Sequence, residues 1–173
     1  SAYMPIAGVM IPDSMYQPMI AESRKIGTFG HGYTYSGHPV AAAVALKTIE
    51  IYQRDRIVEQ AAAKSKKFLA RLAQVGEHPL VGEARGIGMV AGVEIVADKK
   101  TRKSFEASHK FSVRAARHAE EEGLIVRALA GDVLTICPPL IITEDEIDFL
   151  FDSLTRALDR TLAWAKSESL TVA

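Results

Sequence analysis

The sequence predicts a mixed α/β protein. Short apolar runs typical of strands alternate with segments in which apolar residues recur every three or four positions, the spacing of amphipathic helices. Apolar residues make up 48% and charged residues 24% of the 173 positions, which are ordinary values for a globular domain. The order of elements is predicted to be β-α-loop-α-α-β-β-α-β-β-α.

The first part of the chain is predicted to hold one strand and two helices. The apolar run of residues 4–11 ends at a Pro-Asp pair, which is typical of a buried strand. A short helix follows to about Ala21, and the glycines of residues 23–37 indicate an ordered loop. Pro39 suits the first position of a helix, because the missing N–H is not needed there, and this helix is expected to reach about Tyr52.

The second part is predicted to alternate helices and strands. A helix after Asp55 carries one apolar stripe, and the glycine-rich apolar segment 81–96 indicates a bent or paired strand. A charged surface loop over 98–104 follows. A helix is predicted over residues 108–122. Two strands follow, over 123–128 and 132–137, and a Gly-Asp turn joins them.

The last helix has the most specific signature. Thr143 and Glu146 have the T-x-x-E spacing of a capping box, which marks a helix N-terminus. Apolar residues then repeat at spacings of three and four: Ile147, Leu150, Phe151, Leu154, Leu158 and Leu162.

Charge and cysteine content limit the function classes. Lys plus Arg and Asp plus Glu number 21 each, so no long-range attraction to nucleic acid or to an anionic membrane is expected. The single Cys137 excludes a disulfide within the chain and fits a reducing compartment, most simply the cytoplasm. We expect Cys137 to be an inert buried thiol. Residues 1–15 have no basic segment, so a secretory signal is not expected there.

The segment "HGYTYSGHPVAAAVAL", residues 31–46, is the first candidate site. A helix N-terminus carries unpaired N–H groups and partial positive charge, so a hydroxyl and loop N–H groups just before it can hold a phosphate. Thr34 with the backbone of Tyr33 could form such a clamp. The alternative is that the segment simply caps the helix that follows.

Arg127 is the second candidate, because it ends the apolar run "GLIV". Its guanidinium either emerges into solvent or binds a carboxylate with two parallel hydrogen bonds. Arg85 is expected to pair with a carboxylate at the surface or between domains. His31 and His38 do not have the spacing of metal ligands, so we predict no metal site.

Four segments together resemble class III (ω-) aminotransferases, enzymes of fold type I that use pyridoxal 5′-phosphate. They are "SAYMPIAGVMI", "GHGYTYSGHPVAAAVALKTIEIY", "HPLVGEARGIGMVAGVEIV" and "GLIVRALAGDVLTICPPLIIT". The resemblance implies that residues 1–52 end the large PLP-transferase domain with an interface helix, and that residues 53–173 form the mixed α/β small C-terminal domain. It also implies a homodimer with shared active sites.

The resemblance gives roles to both candidate sites. It implies that Thr34, assisted by the backbone of Tyr33, binds the cofactor phosphate across the dimer interface. It implies that Arg127 binds the substrate carboxylate, as in the amine–pyruvate branch. Relatives acting on ornithine-like or 4-aminobutyrate-like substrates often carry Arg in the strand before the double proline, where this chain has Thr135. That difference favours an amine:pyruvate type over the ornithine type. The reaction expected from the resemblance is transfer of an amino group from an amine or ω-amino acid to pyruvate.

The resemblance also implies what lies outside the 173 residues. The family's Schiff-base lysine precedes the segment "SAYMPIAG" by a few residues, so it is expected just upstream of Ser1 and the chain alone is expected to be inactive. Two alternatives stay open: a truncated, non-catalytic dimerisation or assembly module, and an enzyme of the same fold with aminomutase or decarboxylase chemistry.

Overall fold

A computed structural model describes residues 3–170 of the chain. The chain divides into two compact units, Ser1–Arg56 and Ile57–Ala173. The division expected from the resemblance lies four residues earlier, between residues 52 and 53. Within the described range, no helix is both long and apolar enough to cross a membrane.

The first unit contains helices α1 (Asp13–Ile26) and α2 (Pro39–Arg54). The strand predicted over residues 4–11 is wrong: these residues have no strand pairing in the described structure, and Val9 and Met10 are 90% and 99% exposed. A strand needs a neighbour to receive its backbone hydrogen bonds, and none of the described residues of this unit supplies one.

Both helices of this unit differ in length from the prediction. Helix α1 continues five residues beyond Ala21 and ends where the N–H of Gly27 donates to the carbonyl of Ser23 (3.2 Å). Gly27 has φ +102°, a conformation that favours glycine, and it therefore marks the helix end. Helix α2 begins at Pro39, as predicted, and ends at Arg54, two residues beyond the expected end at Tyr52.

The second unit is built on a four-stranded antiparallel sheet with strand order β1-β2-β4-β3. Strands β1 (Val81–Ile87) and β2 (Val90–Ile95) form a hairpin, so the prediction of a paired strand over 81–96 is confirmed. Strands β3 (Arg127–Leu129) and β4 (Val133–Ile136) form a second hairpin.

The prediction for residues 123–128 is wrong in extent, because β3 has three residues. The residues before β3 complete the end of the preceding helix instead: the N–H of Leu124 donates to the carbonyl of Ala119 (2.8 Å). The turn between β3 and β4 holds Gly131 and Asp132 with φ of +77° and +53°, as the predicted Gly-Asp turn requires.

Three helices form a layer over one face of the sheet: α3 (Ile57–Val75) and α4 (Phe111–Glu121) contact its strands, and α5 (Glu144–Ser167) packs against α3 and α4. A 3-10 turn, Ala107–His109, precedes α4. The largest fully buried side chains lie between this layer and the sheet: Phe68, Phe111, Phe151, Leu80, Ile95, Leu134, Ile147, Leu154 and Leu158. The predicted mixed α/β class is therefore confirmed, and the apolar stripes of α3 and α5 form this core as predicted.

The capping box at the start of α5 is also confirmed. The N–H of Glu146 donates to Thr143 Oγ1 (3.2 Å), and the N–H of Thr143 donates to Glu146 Oε2 (2.7 Å). Each side chain thus satisfies a backbone donor of the other residue.

The sheet presents its opposite face away from these helices. Leu134 and Ile136 are buried in the core, so the alternation of a strand directs Val133 and Thr135 of β4 to the other side. Arg127 is in register with Thr135 and therefore belongs to the same outer face. The second candidate site thus lies on the outer face of the sheet, on strand β3.

Candidate functional site

The Thr34 segment forms a tight turn immediately before α2. The N–H of Ser36 donates to the carbonyl of Tyr33 (2.9 Å), and the N–H of His38 donates to the carbonyl of Tyr35 (3.2 Å). Gly37 has φ +70°, which lets the chain turn back into the helix without strain from a side chain. Ordered backbone bonds therefore hold Thr34 at the top of the turn.

The donors at this turn fit an oxyanion in part. Among residues 3–170, neither the hydroxyl nor the N–H of Thr34 has a hydrogen-bond partner, and both lie at the exposed surface. The N–H of Tyr33 is instead engaged by Ser36 Oγ (3.1 Å). The oxygens of a phosphate group accept hydrogen bonds from free donors of this kind. The Tyr33 N–H would first have to release Ser36.

The capping alternative for Thr34 is wrong. The residue at the N-cap of α2 is His38, four positions after Thr34, and its side chain makes no capping hydrogen bond. Pro39 occupies the first helical position and has no N–H to satisfy. The polar residues of this segment are therefore not explained by stabilisation of the helix end.

Aromatic rings line the approach to the turn. The rings of Phe29, His31 and Tyr33 occupy alternate positions, with centroid separations of 5.8 Å and 5.6 Å along the row. Alternate residues of an extended segment point to one side, so the three rings form a continuous strip. Phe29 and Tyr33 are 63% and 77% exposed, which leaves the strip open in the described unit.

Arg127 is the first residue of β3 and lies at the edge of the sheet, because β3 is an edge strand. Its Cα partner is Thr135 of β4, which pairs in turn with Gly92 of β2. Arg127 is exposed, and among residues 3–170 its guanidinium has no acceptor or carboxylate partner. A permanently charged fork without a partner is suited to bind a carboxylate.

Arg85 provides the contrast. It pairs with Gly92 from β1, and its Nη1 lies 3.0 Å from Glu83 Oε2 and 3.4 Å from Glu94 Oε2. The prediction of a surface pair with a carboxylate is therefore confirmed. Since two carboxylates already surround Arg85, it is much less available than Arg127 for an external anion.

The two candidate sites belong to different units. Thr34 and Tyr33 lie in the first unit, and Arg127 lies in the second. No group of three or more His, Cys, Asp or Glu residues suited to hold a metal ion occurs within the part of the chain that the structure describes.

An apolar groove of about 550 Å³ beside the second hairpin was missed by sequence reasoning. Its wall includes Ile125, Ile141 and Phe149, which are 90%, 71% and 52% exposed. Cys137 also lines it and is exposed, so the expectation of a buried thiol is wrong. Cys137 follows the last residue of β4, where the chain leaves the sheet. The signal available in the sequence was the pair of apolar runs, "GLIV" and "PPLII", that flank the hairpin.

Comparison with known proteins indicates the same family as the four sequence segments described above. The family model described as aminotransferase class III matches residues 1–158. A putrescine–pyruvate aminotransferase of Pseudomonas aeruginosa is 43% identical over 94% of this chain. Gamma aminobutyrate transaminase 3 of Solanum lycopersicum, a chloroplast protein, is 38% identical over 93% of it. The chain spans 35% and 31% of the lengths of these two relatives.

Solved structures show the same relationship. A transaminase obtained by ancestral reconstruction matches with a TM-score of 0.89 and 40% identity, over 94% of this chain and 36% of that one. A thermostable omega transaminase from Pseudomonas jessenii, a six-fold mutant, matches with a TM-score of 0.78 and 40% identity, over 86% of this chain and 33% of that one. The two units therefore have the fold of the matching third of these proteins.

Proposed function

Because this chain belongs to the class-III aminotransferase family, we propose that it is the C-terminal part of a transaminase that moves an amino group from an amine or ω-amino acid to pyruvate. The observation that carries the proposal is the unpaired Arg127 on the outer face of the sheet, in a chain 43% identical to a putrescine–pyruvate aminotransferase. The guanidinium of Arg127 can bind the carboxylate of a keto acid, and the name of the relative indicates the class of reaction.

Arg127 is proposed to bind the carboxylate of the keto acid. A guanidinium can donate two parallel hydrogen bonds to the two oxygens, which fixes the orientation of the acid as well as its position. The side chain has no competing partner in the described structure, so binding does not require an existing ion pair to break. Its length and flexibility also let it move aside when an uncharged amine is bound.

Thr34 is proposed to hold the phosphate of pyridoxal 5′-phosphate, with the backbone of Tyr33 as the second donor. When bound, this cofactor acts as an electron sink that permits amino-group transfer. The free hydroxyl and N–H of Thr34 fit such an anion, and the turn of residues 33–37 holds them in place. We propose that the protein is a homodimer in the cytoplasm. In this dimer, Thr34 of one subunit would bind the phosphate of the cofactor held in the active site of the other subunit.

The domain assignment follows from the same proposal. The first unit would end the large cofactor-binding domain, and the second would be the small C-terminal domain.

We place the lysine that binds the cofactor covalently upstream of residue 1, so the 173 residues alone would not transaminate. The coding sequence directly preceding Ser1 tests this: a lysine codon a few positions upstream is expected. Its absence would instead favour a non-catalytic assembly module.

The role of Arg127 is tested in the full-length gene product. Arg127→Ala should raise the KM for pyruvate by about tenfold or more, because a charged hydrogen-bonding pair is lost, while the half-reaction with an uncharged amine changes little. Arg85→Ala is the matched control, since that arginine is already occupied by Glu83 and Glu94. Equal losses for pyruvate and the amine would remove Arg127 from the carboxylate site.

A further inference from the structure

A single row of side chains crosses the outer face of the sheet. The register places Arg127 of β3 beside Thr135 of β4, Thr135 beside Gly92 of β2, and Gly92 beside Arg85 of β1. Neighbouring strands are about 4.8 Å apart, so each residue of the row is within reach of the next. A ligand that Arg127 holds with its side chain lying over this face is therefore within reach of Thr135.

The hydroxyl of Thr135 is available to a ligand. Thr135 is half-buried on β4, and within residues 3–170 its Oγ1 has no hydrogen-bond partner. This hydroxyl and the Arg127 guanidinium, neither of which has a partner among the described residues, are two donors that a ligand can use.

Gly92 keeps the space beside this hydroxyl open. A Cβ added there would meet nothing closer than Val133 Cγ1 at 3.6 Å, so the backbone does not need glycine for packing in this structure. The missing side chain therefore leaves room on the face between Thr135 and Arg85.

The charges along the row locate the anion at the Arg127 end. Arg85 is held by Glu83 and Glu94, and these two carboxylates make the far end of the row unfavourable for another anion. At the near end, Arg127 has no such neighbour among the described residues. An anion is thus directed to Arg127 and to the hydroxyl adjacent to it.

We propose that Thr135 is a second binding residue for the substrate carboxylate: its hydroxyl donates to one carboxylate oxygen while the Arg127 guanidinium holds the other. This inference rests on the proposed function, since it takes the ligand of Arg127 to be a keto acid. Two donors on adjacent strands orient the acid by fixing both of its oxygens to a rigid sheet. The proposal makes Thr135 a determinant of keto-acid affinity that leaves uncharged amines unaffected.

The test is steady-state kinetics of the full-length enzyme with its cofactor bound. Thr135→Val removes the hydroxyl and keeps the shape and strand preference, so the KM for pyruvate should rise about tenfold, the loss of one hydrogen bond to a charged group. The rate of the half-reaction with an uncharged amine should stay within about twofold. Thr135→Ser, which retains the hydroxyl, should restore most of the affinity for pyruvate.

A matched control removes a threonine hydroxyl elsewhere. Thr155 donates to the carbonyl of Phe151 (2.8 Å) within α5, so Thr155→Val should leave the KM for pyruvate unchanged.

If Thr135→Val leaves the KM for pyruvate unchanged while Arg127→Ala raises it, the role of Thr135 is overturned and the proposed function stands. If Thr135→Val affects pyruvate and the amine equally, or Thr135→Ser fails to rescue, the residue is structural and the proposal is again overturned. If Arg127→Ala has no effect on the KM for pyruvate, the carboxylate is not bound at this row and the roles of both Arg127 and Thr135 are overturned. Absence of any amino-group transfer to pyruvate by the wild type would instead overturn the proposed function.

Discussion

The imidazole of His78 lies 3.3 Å from the carboxylate of Asp159, through Nε2 and Oδ1, and joins the end of α3 to α5. Its other nitrogen, Nδ1, accepts a hydrogen bond from the N–H of Leu80 (3.1 Å). The ring is therefore assigned as neutral, with its proton on Nε2. Lys99 donates to the carbonyls of Gly76 and His78 in the same turn (2.6 and 3.3 Å).

This arrangement predicts acid sensitivity of the second unit. Burial is the main cause that lowers the pKa of His78 below its ordinary value; the nearby Lys99 charge also lowers it, and together they exceed the opposite influence of Asp159. In the unfolded chain the ring takes up a proton near pH 6.5, whereas the folded ring stays neutral to lower pH. The unfolded state thus binds more protons, so the free energy of unfolding should fall as the pH drops below about 6.5, until the folded ring also protonates.

Urea unfolding at pH 7.5, 6.5 and 5.5 measures this effect. His78→Asn keeps an acceptor near Leu80 without a titrating ring, so its free energy of unfolding should fall less between these pH values than that of the wild type. His118 acts in the same direction, since burial is the main cause of its lowered pKa, and it remains in both proteins. An identical pH dependence for the two proteins would show that His78 does not carry the effect.

The capping box of α5 predicts a defined loss of stability. Thr143→Ala removes the acceptor for the Glu146 N–H and should lower the free energy of unfolding by about 0.5–2 kcal/mol. Thr143→Ser keeps the hydroxyl and serves as the control, with a change of less than about 0.5 kcal/mol. The measurement is the urea concentration at the midpoint of unfolding for Thr143→Ala and Thr143→Ser. Equal midpoints for the two variants would contradict a contribution of the cap to stability.

The phosphate role of Thr34 predicts a loss of cofactor affinity. In the full-length protein, Thr34→Ala should raise the dissociation constant of pyridoxal 5′-phosphate by about tenfold or more, because a charge-assisted hydrogen bond is lost. Thr34→Ser should retain most of the affinity. Tyr35→Phe is a control within the same exposed turn. Equilibrium dialysis measures binding independently of catalysis, and unchanged binding by Thr34→Ala would exclude the role.

Features of the fold that depend on neighbouring residues are predictable from the sequence. The capping box at Thr143 and Glu146, the proline start of α2 at Pro39 and the turn at Gly131 depend on residues within a few positions of one another. The apolar stripe of α5 is likewise a property of one segment. Such features are predictable because their physical causes lie inside the segment itself.

Features that depend on distant partners were not predictable in this way. The run of residues 4–11 is apolar enough for a strand, but a strand also requires a neighbour, which apolar periodicity alone cannot identify. His78 and Asp159 are 81 residues apart, and no spacing rule connects them. Cys137 was expected to be buried because its neighbours are apolar, yet the chain leaves the sheet at that residue.

The candidate site falls between these cases. The sequence predicts Thr34 and Arg127 as candidate binding residues, but only the structure shows the contrast between a free Arg127 and an Arg85 paired with carboxylates. The adjacency of Arg127 and Thr135 follows from the register set by the three-residue turn 130–132. A shift of that register by one residue would have placed Thr135 on the opposite face.

The most direct test of the account is amino-group transfer itself. Purified full-length protein, supplied with pyridoxal 5′-phosphate, is incubated with pyruvate and putrescine labelled with ¹⁵N, and the alanine formed is analysed by mass spectrometry. We expect [¹⁵N]alanine to form at a rate that is proportional to enzyme concentration and that falls sharply in Arg127→Ala at low pyruvate concentration. Absence of labelled alanine with putrescine and with other simple amines or ω-amino acids would contradict it.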